Sequence, residues 1–75
     1  MELQTKLQNF INETVKYVEK NGSAVYTCRN HSGWDIDIYN NRNEINDALI
    51  RRGYEVTSKI KLGSSDIIIT RINLQ

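Results

Sequence analysis

Two aspartates one residue apart are the side chains of this sequence best suited to hold a metal ion. Asp35 and Asp37 stand at positions i and i+2, so in a strand both carboxylates project from one face. A divalent cation prefers more than two oxygen ligands, and no further carboxylate obviously converges on this pair, because Glu44 and Asp66 fall at the ends of other predicted elements. Charges on the wet face of an edge strand also prevent aggregation. We therefore predict a solvated strand face, with no metal and no other cofactor.

A cysteine and a histidine close to this pair could form a nucleophile and its base. Cys28 would need the imidazole of His31 nearby to ionise at neutral pH. A strand cysteine is more often an apolar filler, and a turn accounts for a polar histidine. The sequence contains neither G-x-S-x-G nor a glycine-rich phosphate loop, and a domain of this size has little volume for a pocket of roughly 300 Å³. We therefore expect a protein that is not an enzyme.

Length and composition limit the class of protein. The 75 residues predict one compact domain, 1–75, and ten Lys and Arg nearly cancel nine Asp and Glu, so a charged partner must meet a local patch. One cysteine and no signal-peptide or membrane-spanning pattern predict a cytoplasmic protein without a membrane partner. Nine asparagines and ten isoleucines with no proline indicate codons rich in A and T, which hints at a phage or mobile element.

The elements that position these residues begin with an amphipathic helix. Apolar residues recur at three- and four-residue intervals from Leu3 to Val18, and Asn21-Gly22 predicts the helix end. A change to period two then predicts strands over Ala24 to Arg29 and Trp34 to Tyr39, joined as a hairpin. In that hairpin the core face would carry Val25, Thr27, Trp34, Ile36 and Ile38.

The opposite face of the first hairpin is predicted to be acidic and aromatic. It would present Tyr26 and Tyr39 beside the two aspartates. Exposed tyrosines are favoured at interfaces, and they are also common cross-strand neighbours, so both readings stay open.

A second helix and a second hairpin follow. Asn41 and Glu44 have the spacing of a capping box, and Gly53 predicts the helix end, with Tyr54 returning to Leu49 in a Schellman motif. A three-residue loop, Gly63-Ser64-Ser65, would pair Ile60 with Ile68 and Val56 with Ile72 and bury these four residues together. The order α-β-β-α-β-β predicts an α+β domain with an antiparallel sheet and two helices packed on one face.

The outer face of the second hairpin is the most informative surface. It would carry Lys59, Lys61 and Arg71 around Ile67 and Ile69. The lysine stems could simply shield the isoleucines. Apolar residues rimmed by cations also suit a protein or anionic partner.

Arg51 and Arg52, at the end of the second helix, add positive charge just before this hairpin. A helix followed by a basic hairpin resembles the recognition helix and wing of winged-helix proteins, and the resemblance implies nucleic-acid binding. The segment Trp34 to Tyr39, where a preceding helix should lie, is predicted here as strand, and the near-neutral charge also argues against a phosphate-binding protein.

We therefore predict a small non-enzymatic regulator or inhibitor that occupies a surface of a larger protein, with a nucleic-acid-binding protein as the alternative. The last strand, Ile67 to Leu74, has no proline and one charged residue, so at a sheet edge it would invite a second copy. A homodimer through edge strand 67–74 is thus a further expectation.

Overall fold

Helices cover one face of a three-stranded antiparallel sheet in the computed structural model, which describes residues 2–61 and 67–75. The elements in chain order are α1 (Leu3–Asn21), β1 (Ser23–Cys28), α2 (Ile36–Asn40), α3 (Arg42–Arg51), β2 (Glu55–Ile60) and β3 (Ile68–Asn73). The α+β class and the antiparallel sheet are confirmed. The order is α-β-α-α-β-β, so a short additional helix, α2, replaces the predicted second strand.

The first helix has the predicted face and the predicted end. Leu7, Ile11 and Val18 are buried, and they follow the helical spacing of the sequence. Gly22 ends α1 in the left-handed region, with φ of 87°, and its amide donates to the carbonyl of Val18 at 2.7 Å. Because glycine adopts this conformation without strain, the chain can reverse sharply at Gly22 and enter β1 at the next residue.

The predicted strand over Trp34 to Tyr39 is wrong, because residues 36–40 form α2. Asp35 caps this helix: its carboxylate oxygen Oδ1 accepts the backbone amides of Asp37 at 3.1 Å and Ile38 at 3.4 Å. Of the apolar residues that suggested a strand, Ile38 is buried, whereas Trp34 and Ile36 are exposed. One turn of helix is too short to show a helical period, so the cap decides the conformation.

The third helix begins and ends where the sequence places its boundaries. Asn41 occupies the N-cap position without the capping box, because its side-chain amide donates instead to the carbonyl of Asp37 at 2.8 Å. At the other end, Gly53 has φ of 94° and its amide donates to Ile50, while the amide of Tyr54 donates to the carbonyl of Leu49 at 3.2 Å. The Schellman motif is confirmed.

The register of the second hairpin is confirmed over the described residues. Ile60 lies opposite Ile68 and Val56 lies opposite Ile72. Between these pairs the hydroxyls of Ser58 and Thr70 are 2.8 Å apart and satisfy each other. The predicted loop Gly63-Ser64-Ser65 lies outside the described residues.

The strand order β1-β3-β2 makes β3 the central strand. The expectation that 67–74 forms an edge strand is therefore wrong, because β1 and β2 pair with both of its backbone edges. A homodimer cannot form by backbone pairing to this strand. The free edges of the sheet belong to β1 and β2.

The predicted core face of β1 is also reversed. Since β1 pairs with β3 rather than with a neighbouring strand, Ala24 lies opposite the fully buried Ile72, which turns the even-numbered residues toward the helices. Val25 and Thr27 are consequently exposed on the other face. The core comprises Leu7, Ile11, Val18, Ala24, Cys28, Ile38, Ile45, Leu49, Tyr54 and Ile72.

The four isoleucine and valine residues of the second hairpin are not buried together as predicted. Ile72 is fully buried, Val56 and Ile68 are half-buried, and Ile60 is 67% exposed. Ile60 projects toward the helical side at the far end of edge strand β2, where the described helices leave it uncovered.

Candidate functional site

The sheet face opposite the helices carries the predicted basic residues of the second hairpin. In the antiparallel sheet Lys59 lies beside Ile69, and Arg71 lies between Thr57 and Val25. The pairing of β2 with β3 extends one residue further, because the amide of Lys61 donates to the carbonyl of Ile67 at 2.8 Å. Alternation along each strand puts these side chains on one face. We call this surface the basic sheet face; it comprises Val25, Thr27, Thr57, Lys59, Lys61, Ile67, Ile69 and Arg71.

No described helix packs on the basic sheet face. The three cations are exposed, Val25 is 52% exposed, and the two isoleucines are half-buried. A shallow cavity of about 240 Å³ lies on this face, lined by Thr57, Lys59, Ile69 and Arg71. Its floor is therefore aliphatic and its rim is cationic, which suits an anionic group attached to an apolar one.

The cations of this face outnumber its acidic residue in the part of the chain that the structure describes. Glu55 is the acidic residue that β2 contributes to the same face, and none of the three cations forms an ion pair with a carboxylate among residues 2–61 and 67–75. Exposed unpaired cations keep their full attraction for an acidic partner, although salt screens it.

The structure separates Arg51 and Arg52 from the basic sheet face. Arg52 reaches α1, where its guanidinium donates to the side-chain oxygen of Asn12 at 3.4 Å. Arg51 lines a small groove between α1 and α3. Both arginines thus belong to the helical layer, on the other side of the sheet, and do not extend the basic sheet face.

The two tyrosines predicted as interface residues are both half-buried. The hydroxyl of Tyr26 donates to the side-chain oxygen of Asn46 at 2.6 Å, and its ring meets Phe10 edge-on, with centroids 5.2 Å apart. Burial raises the pKa of Tyr26. Tyr39 is half-buried with the guanidinium of Arg42 4.4 Å from its ring centroid. Neither ring lies on the face that the strand assignment gave it.

The paired aspartates hold two helices together. The ammonium of Lys6 lies 2.9 Å from Asp35 and 3.0 Å from Asp37, which ties α1 to the start of α2. The hydrogen bond from Lys6 holds the pKa of Asp35 below its usual value. The described residues contain no cluster of three or more His, Cys, Asp or Glu side chains that could hold a metal.

Cys28 and His31 are poorly placed for nucleophilic catalysis. The Cys28 thiol points into the core, and burial raises its pKa, whereas an activated thiol needs a lowered one. The ring of His31 lies in an exposed turn, with Nδ1 3.0 Å from the carbonyl oxygen of Ser32.

A groove between α1 and the free edge of β1 is a feature that sequence reasoning missed. It encloses about 500 Å³ and is lined by Phe10, Glu13, Thr14, Tyr17, Asn21, Ser23, Ala24, Val25 and Tyr26. Tyr17, which the three- and four-residue spacing places on the apolar stripe of α1, is 59% exposed at this groove. Its position beside Thr14 and Asn21, at helical spacing, is the signal that could have indicated an open helix margin.

Among the helices that the structure describes, even the longest, α1, is too polar to cross a membrane. No protein-family model matches the sequence, and neither a curated protein nor a solved structure resembles it significantly.

Proposed function

We propose that this chain is a non-enzymatic regulator or inhibitor that binds a larger protein through its basic sheet face. The observation that carries the proposal is a sheet face that no described helix covers, on which three cations without an ion pair among residues 2–61 and 67–75 surround apolar residues. The matching partner surface is acidic at its rim and apolar at its centre. We further propose an origin in a phage or mobile element, on the basis of the many asparagine and isoleucine residues, which codons rich in A and T encode.

The size of the face sets the strength of such a contact. Three strands about 4.8 Å apart, each six residues long at about 3.4 Å per residue, cover about 300 Å². A stable interface buries about 800 Å² on each partner. The sheet of one copy therefore supports a transient contact, or it forms one part of a larger one.

A nucleic-acid-binding function is the second candidate, because α2 supplies the helix that precedes α3 and the hairpin in the winged-helix resemblance. Two observations weigh against it. The exposed side of α3 carries Glu44 and Asp47, which would repel phosphates. The described part of the basic sheet face also has no aromatic ring on which an unpaired base could stack, which argues against binding of single strands.

A matched pair of charge reversals tests the proposal. Lys59→Glu with Arg71→Glu alters the basic sheet face, and Arg51→Glu with Arg52→Glu makes the same charge change on the helical layer. Proteins captured from lysate by the parent and both variants are identified by mass spectrometry, and each is then titrated in purified form. A purified partner that the first variant loses and the second retains supports the proposal. Retention by both variants would refute it.

Fluorescence anisotropy with a labelled DNA duplex of mixed sequence decides between the two functions. Phosphate binding falls steeply, by about three orders of magnitude or more for six to ten contacts, between about 50 and 200 mM salt. We expect weak binding to the duplex throughout. Tight, salt-sensitive binding that the Lys59 and Arg71 reversals abolish would instead establish the nucleic-acid function.

A further inference from the structure

The free edge of β2 has its hydrogen-bonding groups turned outward. The amide of Lys61 donates to Ile67, so odd-numbered residues of β2 use their backbone groups for β3. The amides and carbonyls of Val56, Ser58 and Ile60 therefore point away from the sheet. Since β2 is last in the strand order, no described strand receives them.

The protection of this edge against pairing is incomplete, because its charged residues Glu55, Lys59 and Lys61 all lie on the basic sheet face and leave the helical side of the edge uncharged. The strand has no proline, and both Ser58 and Ile60 are exposed on the side where the helices pack. A cavity of about 170 Å³ separates this end of β2 from Arg42, Asn43 and Asn46 of α3. Long exposed edges with an uncovered apolar residue recruit another strand.

We propose that two copies of this chain pair through β2, antiparallel about a two-fold axis at Ser58, and form a continuous six-stranded sheet. Val56 then lies opposite Ile60 of the partner subunit, and Glu55 lies opposite Lys61 of the partner subunit. The two-fold axis repeats both pairs. Each exposed Ile60 thus gains an apolar neighbour, and each Glu55 gains an opposite charge.

Other registers are less complementary. An axis at Lys59 would set two lysines directly opposite each other. An axis at Thr57 would set Ile60 against the partner subunit's Tyr54, whose side chain is buried in its own core and cannot cover it. The axis at Ser58 also pairs the whole segment from Glu55 to Lys61.

The pairing has a consequence for binding, which rests on the proposed function. A two-fold axis perpendicular to the sheet puts both helical layers on one side and both basic sheet faces on the other. The joined face covers about 600 Å², twice the area of one copy by the same strand spacing. Dimer formation itself is measured without any partner, so failure of one proposal is distinguishable from failure of the other.

Sedimentation equilibrium of the parent chain tests the dimer. We expect a mass that rises from 8.7 kDa toward twice that value between about 1 and about 100 micromolar. Ile60→Lys keeps the monomer fold, because the side chain is already exposed, and should remain monomeric throughout. A parent that stays at 8.7 kDa across this range overturns the proposal.

A charge swap tests the register. Glu55→Lys sets two lysines against each other at both ends and should weaken dimerisation about tenfold or more. Adding Lys61→Glu restores opposite charges across the axis and should recover it. The control Glu44→Lys makes the same charge change on exposed α3 and should leave the dimer intact. Failure of Lys61→Glu to rescue the dimer would refute this register.

Hydrogen exchange gives an independent readout. In the dimer the amides of Val56, Ser58 and Ile60 should become protected relative to dilute protein, whereas the outward amides of β1 should not. Protection confined to β1 would place the interface at the opposite edge and overturn the proposal.

Discussion

Two isoleucines on the same side of the second hairpin provide a direct test of where the core ends. Ile72, on β3, is fully buried, and Ile60, on β2, is 67% exposed. Truncation of either to alanine removes the same side-chain atoms from a strand. The difference between the two losses of stability therefore reports burial.

The expected losses follow from these exposures. Ile72→Ala leaves a cavity between Ala24 and Val56, its register partners, and should cost about 2 to 5 kcal/mol. Only a third of Ile60 is buried, so Ile60→Ala should forfeit about a third of a burial free energy of about 1.5 to 3 kcal/mol, or about 0.5 to 1 kcal/mol. A core of this size rarely supplies more than about 3 to 5 kcal/mol, so Ile72→Ala removes most of the stability.

Urea unfolding followed by circular dichroism at 222 nm measures both losses. The protein is held dilute enough to be monomeric, because Ile60 gains a neighbour in the proposed dimer. Ile72→Val provides a graded control, with a loss of about 0.5 to 1.5 kcal/mol. Equal losses for Ile60→Ala and Ile72→Ala would show that the far end of β2 is covered, and the described arrangement of core and edge would be refuted.

Three further outcomes follow from the same contacts. Cys28 should react with a thiol reagent only as fast as the fold opens, because its thiol is buried with a raised pKa; labelling of native protein at the rate of urea-unfolded protein would contradict this. Because the pKa of Asp35 is lowered in the fold, the ionised carboxylate stabilises the protein at pH values above its unfolded pKa of about 3.9. This stabilisation is lost as the pH falls through the folded pKa of Asp35. Lys6→Met should therefore lower the melting temperature at neutral pH by an amount that shrinks toward about pH 2, and a constant deficit would contradict the ion pair. Gly53→Ala should cost about 1 kcal/mol or more in urea unfolding because φ is 94°, whereas an unchanged midpoint would show that the Schellman turn tolerates a side chain.

Local signals predicted the parts of this fold that depend on neighbours in sequence. Gly22 and Gly53 end their helices through hydrogen bonds within one turn, so the local sequence is enough to locate both helix ends. The register of the second hairpin likewise follows from a short connection and from alternation in both strands.

The segment around α2 could not be assigned by period. The alternation of Ile36 and Ile38 with aspartates is typical of a strand. The Asp35 carboxylate, however, accepts hydrogen bonds from the amides of Asp37 and Ile38, which is possible only when the chain turns into a helix. A second contact that favours this helix comes from far away in the sequence. Lys6, on α1, binds both aspartates, and it lies twenty-nine residues before the nearer one, Asp35. A contact of that separation leaves no mark in the local pattern.

The prediction of a first hairpin was wrong because the partner of a strand is decided by tertiary contacts. The sequence offered β1 a neighbour in the chain, whereas in the fold it pairs with β3, across α2, α3 and β2. That single difference turns Val25 outward, turns Tyr26 inward and makes β3 central. The errors about the sheet edges and about Tyr26 derive from it, whereas the error about Tyr39 derives from the missed helix α2.

The basic sheet face was found despite this error, and the reason bears on its role. Its cations belong to one hairpin whose faces are decided by alternation, so the sequence could group Lys59, Lys61 and Arg71 without knowing what β1 does. The formal charge of +1 concealed the grouping, since acids such as Glu44 and Asp47 lie on the helical layer and offset these cations only in the sum. A partner meets the local face rather than the sum, because salt limits interactions between exposed charges to about 8 Å at physiological ionic strength. Near-neutrality therefore does not weigh against an acidic partner, and the choice between a protein and a nucleic-acid duplex rests on the carboxylates of α3.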